Sequence, residues 1–402
     1  MTALALDGLK VVDLAWVVAG PMVGRVLADC GAEVVRVESA KRIDTARMMG
    51  PFPGGTRDPS RSALFENCNA GKLGLSLDLS LPQAREVVLD LVAWGDVLVE
   101  SFASGQMARW GLAPQALLAR NPRLIILSTS LMGQTGPLAT LAGFGNVGAA
   151  MSGFQALVGY PDGGTIGPFG PYTDYVSPRF ATAALLAALA RRKQTGVGGW
   201  LDVAQVEAGL QFLAPEFCAY FAHGTVTKAN GNRTTDMAPH GVFRCAGHDA
   251  WVAIAVRSDA EWARLAVLLG LPAQEAGLAA LAGRKDAEDA VERMVSEWTA
   301  SRGAQAVEQQ LQGLRIPAHV VASSADMADD PQLAHLSHFV RMPHPAGGES
   351  VVEASRFRLS ATPAAPRRLA PTLGRDNDHV LRAVLGYDDA RIAALHNAGI
   401  LV

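Results

Sequence analysis

Charge is scarce in this chain. Only 18% of its 402 residues are ionic, and 35 basic against 38 acidic side chains leave a net charge of −3. There is thus no global basic field of the kind that holds nucleic acid or an anionic membrane surface. Any anionic ligand has to be met by a few local cations. Cysteine is also rare: Cys30, Cys68, Cys218 and Cys245 stand far apart without CxxC spacing. They read as buried thiols in a reducing compartment, not as disulfide staples or zinc ligands. No run reaches the roughly 18 uninterrupted apolar residues of a membrane span. The opening MTALALDGLKVVDLAWVVAG carries Asp7, Lys10 and Asp13 where a signal peptide would place a basic and then an apolar segment. A cytoplasmic protein with no nucleic-acid or membrane partner is expected. The histidines, among them His335, His338 and His344, show no ligand spacing, so no metal centre is expected.

What is abundant is hydrophobic residues, 49% of the total, enough for a sizeable core and for more than one domain. Through residue 130, short β-branched runs alternate with helical patterns. KVVDL (10–14), EVVRVE (33–38), LGLSLDL (73–79), DVLVES (96–101) and LIILSTS (124–130) read as strands. PMVGRVLADCG opens on Pro21 and stops at Gly31, and PQAREVVLDLVAW (82–94) spaces Val87, Val88, Leu91 and Val92 as a helix does. Such alternation implies a parallel sheet with helices on both faces. Residues 132–173 are rich in glycine with no sustained period, which predicts a long functional loop. Helices are expected at about 178–193 and 202–221.

From residue 225 the pattern changes. WVAIAV (251–256) and PAHVVAS (317–323) read as strands, and 258–269, 286–301 and 304–314 as helices. The fold class is α/β: a large domain over 1–224, a smaller α/β domain over 225–330, and a segment 331–402 returning to the first. The opening strand, turn and helix, followed by Glu38, outline a dinucleotide-binding unit. The glycines of AWVVAGPMVG do not supply GxGxxG, however, and Pro21 removes an amide that a pyrophosphate needs. Gly20-Pro21 reads better as a turn that lets a narrow ligand pass close to backbone.

One carboxylate stands out. In GPFGPYTDYVSPRFATAALLAALARRKQTG (167–196), Asp174 precedes an apolar helical segment, with no histidine, cysteine or second acid close in sequence. Taken alone, such an acid is more often a loop or capping residue. Ser177-Pro178 is expected to cap and begin the following helix. ARRK (190–193) reads as the basic end of that helix.

The stretches GLKVVDLAWVVAGPMVGRVLADCGAEVVRVESAKRIDTAR, NCNAGKLGLSLDL, DVLVESFASGQMARWGL, ARRKQTGVGGWLDVAQVEA and APTLGRDNDHVLRAVLGYDDARIAAL together resemble the family III CoA-transferases. These are the relatives of formyl-CoA, carnitine and benzylsuccinate CoA-transferases. The resemblance implies a Rossmann-like large domain, a small domain, and two subunits interlocked like links of a chain. It places the nucleophilic aspartate at Asp174. CoA contacts fall at Val18, Ala19, Arg47, Asn69, Lys72, Phe102 and Arg109, with Lys72, Arg47 and Arg109 offering positive charge to the CoA phosphates. Arg47 could equally pair with Asp44, His240 could orient a substrate carboxylate or simply pack, and Trp16 could be core or wall of the acyl pocket.

The same resemblance implies CoA exchange between two carboxylic acids through an aspartyl-CoA thioester. The CoA thioester is then substrate, and no permanent cofactor is expected. Backbone amides of the glycines in 163–170 and 231–241 would serve developing oxyanions. FGNVGAAMSGF, GPYTDYV and GNR…APHGVFRC look nearest to the branch pairing succinyl-CoA with dicarboxylic acceptors such as benzylsuccinate or malate. Some of that branch are heteromers, so a homodimer and a heteromer with a related subunit both stay open. Gly145 stands where formyl-CoA transferase has a glutamate, and Phe144 where acyl-CoA racemases have a histidine. An α-methylacyl-CoA racemase and a non-catalytic CoA-binding subunit are the alternative readings.

Overall fold

The computed structural model describes residues 3–164, 166–272 and 277–402, which fall into two compact units. The first comprises the chain through Phe154, Pro168–Thr225 and Pro331–Val402. The second comprises Gln155–Gly167 and Val226–Asp330.

The first unit is built on six parallel strands: β1 (Lys10–Asp13), β2 (Glu33–Glu38), β3 (Leu73–Ser76), β4 (Val97–Glu100), β5 (Ile125–Ser130) and β6 (Gly199–Ala204), in the order β3-β2-β1-β4-β5-β6. That order reverses direction between β1 and β4, the switch point outside which open α/β sheets bind ligands. The helices are α1 (Ala19–Asp29), α2 (Ala63–Asn69), α3 (Pro82–Trp94), α4 (Gln106–Arg109), α5 (Pro114–Arg120), α6 (Gly145–Ser152), α7 (Phe154–Leu157, which runs on into the second unit), α8 (Tyr172–Thr195), α9 (Gln205–Leu210) and α10 (Ala214–His223). Burial on both faces explains why the inner strands read as unbroken apolar runs. On one face Val23 and Leu27 of α1 and Ala181 and Leu185 of α8 pack on Val11, Val97 and Ile125. On the other, α3 buries Val88 and Leu91 against Val12, Leu98 and Ile126, together with Leu381 and Ile392 from the carboxy-terminal segment.

Three expectations about elements are corrected. β6 lies where a helix from 202 was expected. It is a half-exposed edge strand whose side chains alternate in burial, so it lacks the solid apolar run of the inner strands. The helix after Asp174 begins at Tyr172, not at Pro178, so Asp174 sits in its first turn and Pro178 lies inside it. Proline inside a helix lacks the amide that would bond the carbonyl four residues back, here that of Asp174 itself. The glycine-rich stretch 132–173 contains α6, whose Gly145 and Gly148 abut Asp174 and Thr173.

The second unit carries an antiparallel sheet of β7 (His240–Arg244), β8 (Trp251–Ala255) and β9 (Ala318–Val320), with β8 central. Helices α11 (Asp259–Leu268), α12 (Leu281–Asp286), α13 (Glu288–Ala300) and α14 (Ala304–Gly313) accompany it. Its own core joins Ile254, Trp262, Val291, Trp298 and Leu311. Back in the first unit, β10 (Phe339–Pro343) and β11 (Glu349–Glu353) form a hairpin. The segment after it covers the sheet edge: Asp376 and Asn377 accept the outward amides of Gly74 and Ser76 at 2.7 and 2.9 Å. No helix among the described residues is long and apolar enough to cross a membrane.

Candidate active site

Asp174, only 4% exposed, lies at a cavity of about 570 Å³ within the first unit. Val17, Val18, Met49, Leu64, Phe144 and Phe339 give this cavity apolar walls. Among the described residues that line it there is no lysine, arginine or histidine. The carboxylate is met by neutral donors. Gly145, the first residue of α6, gives its amide to Oδ2 at 3.1 Å. Gln205 supplies a side-chain hydrogen bond. Thr173 donates its hydroxyl to Gly145 O at 3.0 Å and to Gln205 Oε1 at 3.2 Å, which leaves the Gln205 amide NH₂ for the carboxylate. Two helix amino ends, those of α6 and α8, converge on the acid.

Burial nevertheless prevails. It pushes the Asp174 carboxyl up to about 6, with the Gly145 amide and Gln205 pulling the other way. Such a group is still mostly ionised at neutral pH and is more basic than an ordinary aspartate. Gly145 could not be another residue without disturbance, since a Cβ there would lie 2.8 Å from the Asp174 carboxyl carbon and 2.6 Å from its amide nitrogen. Asp174 forms no ion pair among the described residues. Glu353, the other acid of the lining, does: against its burial, Arg356 and Asn67 hold it below the usual carboxylate range.

The remaining nominated residues divide by location. Val18 and Ala19 form the amino end of α1, with Val18 on the Asp174 cavity. Phe102 lies after β4 and lines a second cavity of about 220 Å³ with Trp16, Trp110, Lys41 and Arg42. Trp16 therefore walls this cavity, beside the switch point, with its ring edge-on to Phe102 at 6.1 Å. Arg109 ends α4 on the surface, bonded to Gln106.

Lys72, Asn69 and Arg47 are inside. The Lys72 ammonium is saturated by Asp13 at 2.6 Å, the Asn69 side chain at 2.8 Å and Pro21 O at 2.8 Å. Burial pushes it down to about 8, with Asp13 opposing. Arg47 grips Glu38 through Nε at 2.9 Å and a second nitrogen at 2.7 Å, binds Pro371 O, and stacks on Phe65 with its guanidinium 3.6 Å from the ring centre. Asp44, which the sequence offered as a partner for Arg47, pairs with Arg36 instead. His240 lies in the second unit with its Nδ1 against Asn232 O.

A family model, CoA-transferase family III, matches residues 6–377. The chain belongs to CoA-transferase family III. The succinyl-CoA–D-citramalate CoA-transferase of Chloroflexus aurantiacus is 30% identical over 97% of this chain and 96% of its own length. The alpha subunit of the succinyl-CoA–L-malate CoA-transferase of the same organism is 32% identical over 99% and 93%. A CaiB/BaiF family protein from Brucella suis, known from its crystal structure, superposes with a TM-score of 0.87 at 30% identity, covering 95% of this chain and all of its own. As a family III CoA-transferase, this chain is a transferase acting on CoA thioesters. Gln205 was not nominated from sequence, since a glutamine after a strand is too common to single out without tertiary contacts. Gly145 was noted only as standing where formyl-CoA transferase has a glutamate, and Asp44 only as a partner for Arg47.

Proposed function

We propose that Asp174 is the covalent carrier of CoA in this family III transferase. The Asp174 carboxylate attacks the acyl-CoA carbonyl, the C–S bond breaks, and CoA thiolate leaves from a mixed anhydride. The thiolate attacks the aspartyl carbonyl, expelling the first acid as its carboxylate and leaving an aspartyl-CoA thioester. The acceptor carboxylate then attacks that thioester, re-forming an anhydride and thiolate. Attack of thiolate on the acceptor's acyl carbon returns the free carboxylate of Asp174. Both nucleophiles react already ionised, so no separate strong base is required. The observation that carries the reading is an unpaired, buried carboxylate at an apolar cavity, held by amides and not by a cation. A dry cavity slows capture of the acyl group by water.

The nucleotide end of CoA is assigned to the smaller cavity at the switch point, where Trp16, Phe102 and Trp110 offer aromatic surface and Arg42 offers charge, with Lys41 paired to Asp78 and Arg109 next to Trp110 in the chain. Val18, Ala19 and Phe102 contact the coenzyme in this proposal. Lys72, Asn69 and Arg47, neutralised internally, support the loops it touches. Succinyl-CoA as donor and a small dicarboxylic acid as acceptor follow from the activities named for the relatives. Benzylsuccinate is a further acceptor of that class. An interlocked dimer in the cytoplasm, of this chain alone or with a related subunit, completes the reading. With Asp174 present, this chain would be the catalytic partner in either assembly.

The test is mass spectrometry after incubation with succinyl-CoA and hydroxylamine. A hydroxamate on the peptide containing Asp174 is expected. An unmodified peptide during active CoA exchange would overturn the mechanism. Deuterium wash-in next to the carbonyl without CoA exchange would favour racemase chemistry.

A further inference from the structure

Val17 has φ +65°, in the left-handed region that a β-branched residue avoids. The bend it makes separates two cavities of the first unit: Trp16 lines the one at the switch point, while Val17 and Val18 line the one that holds Asp174. In extended chain, neighbouring side chains point to opposite sides. A left-handed residue breaks that alternation and allows two consecutive valines to wall one cavity.

The bend is held from several sides. Ala15 N bonds Asp13 at 2.9 Å, Ala15 O accepts from Arg36 at 2.7 Å, and Trp16 N bonds Ser101 Oγ at 2.9 Å. At the strained residue itself the holder is Asp44. Its two carboxylate oxygens accept the Val17 amide at 3.1 and 3.2 Å. Asp44 is 1% exposed and anchored by Arg36 and by the Ala46 amide at 2.9 Å. It lines neither cavity.

We propose that Asp44 is a positioning residue for CoA transfer. It clamps Val17 in the left-handed conformation and so fixes the wall across which the coenzyme must reach from the switch-point cavity to Asp174. The inference rests on the Asp174 reading for its consequence, and its geometry can be tested apart from activity.

The experiment uses full-length Asp44→Asn and Asp44→Ala, each with and without Val17→Gly. Without the carboxylate, Val17 relaxes and kcat/KM for acyl-CoA falls by about tenfold or more, the range that a strained backbone conformation represents. Glycine adopts the left-handed region without that cost. Val17→Gly therefore restores at least about threefold in the Asp44 backgrounds. If Asp44 served only as a buried partner for Arg36, Val17→Gly would restore nothing. Asp44→Asn keeps one acceptor oxygen and covers the case in which Asp44→Ala fails to fold. Amide exchange of the 14–20 segment gives the readout that needs no turnover: faster in Asp44→Asn, slowed again with Val17→Gly. No rescue and no return of protection would overturn the inference. Wild-type enzyme that exchanges CoA without labelling Asp174 would overturn the carrier reading instead, and leave the exchange result to judge the clamp.

Discussion

Burial and hydrogen bonding act on Asp174 in opposite directions, and the balance has consequences that can be measured. The folded-state carboxyl lies near 6 against an ordinary 3.8. The nucleophile is the anion, so kcat/KM should rise with pH through about 6 and then level. A profile already flat at pH 5 would argue against a buried nucleophile. The sign for stability is the reverse. A carboxyl raised on folding contributes stability below its unfolded value, and that contribution is lost as pH rises through the folded value. Asp174→Asn should therefore be more stable than wild type at pH 7 to 8, by roughly 3 kcal/mol, with the difference closing towards pH 4. Urea denaturation at several pH values measures this. Gly145→Ala should also lower activity, because its Cβ must displace the Asp174 backbone or carboxyl. A loss of about 100-fold in kcat, out of proportion to a stability cost of about 1–3 kcal/mol, is expected.

Lys72 shows how a side chain's role depends on where it ends up. In the sequence it is a cation beside a glycine, open to a phosphate. In the folded chain it neutralises Asp13 under the first turn of α1. Lys72→Ala would remove the nearer cation from buried Asp13, leaving it the Ala15 amide and Arg36 at 3.9 Å, at a cost of about 3 kcal/mol. A drop in melting temperature should therefore accompany any loss of CoA binding in that variant. Wild-type stability with selectively weakened binding would point to a direct contact instead.

Among the elements, legibility followed burial. The strands β1, β2, β4 and β5 are inner strands with both faces covered, so their β-branched runs stand out and the parallel sheet can be read directly. β6 is an edge whose exposed positions carry Trp200 and Asp202, so it shows no continuous apolar run and its pattern reads as the start of a helix. Pro178 misleads because proline usually marks a helix start; here tertiary packing tolerates it within α8, and the helix begins early enough to carry Asp174 in its first turn. The other edge, β3, depends on side chains from the far end of the chain. Asp376 and Asn377 satisfy its outward amides, and Gly74 lets Pro371 approach so closely that a Cβ would lie 2.5 Å from it. Replacing both acceptors with alanine should cost about 1–3 kcal/mol for each amide left dry. It should also speed hydrogen exchange at Gly74 and Ser76 before it affects β1 or β4. Uniform exchange across the sheet would show that the strap does not protect this edge.

At the scale of the whole chain, the two units keep separate cores, one on the six-stranded sheet and one joining Trp262, Val291, Trp298 and Leu311. Asp174 and the Gly145 that holds it belong to the first unit, as do the residues assigned to the nucleotide. A ligand stabilises the body that binds it and does so by mass action. On this assignment, an acyl-CoA analogue that cannot transfer should stabilise the first unit by about 2.7 kcal/mol at a hundred times its dissociation constant. Exchange mass spectrometry can follow this segment by segment: protection should concentrate at 14–20, 101–110 and 144–148, with Asp259–Leu268 and Glu288–Ala300 much less affected. Protection confined to the second unit would place the coenzyme elsewhere, and with it the chemistry now given to Asp174.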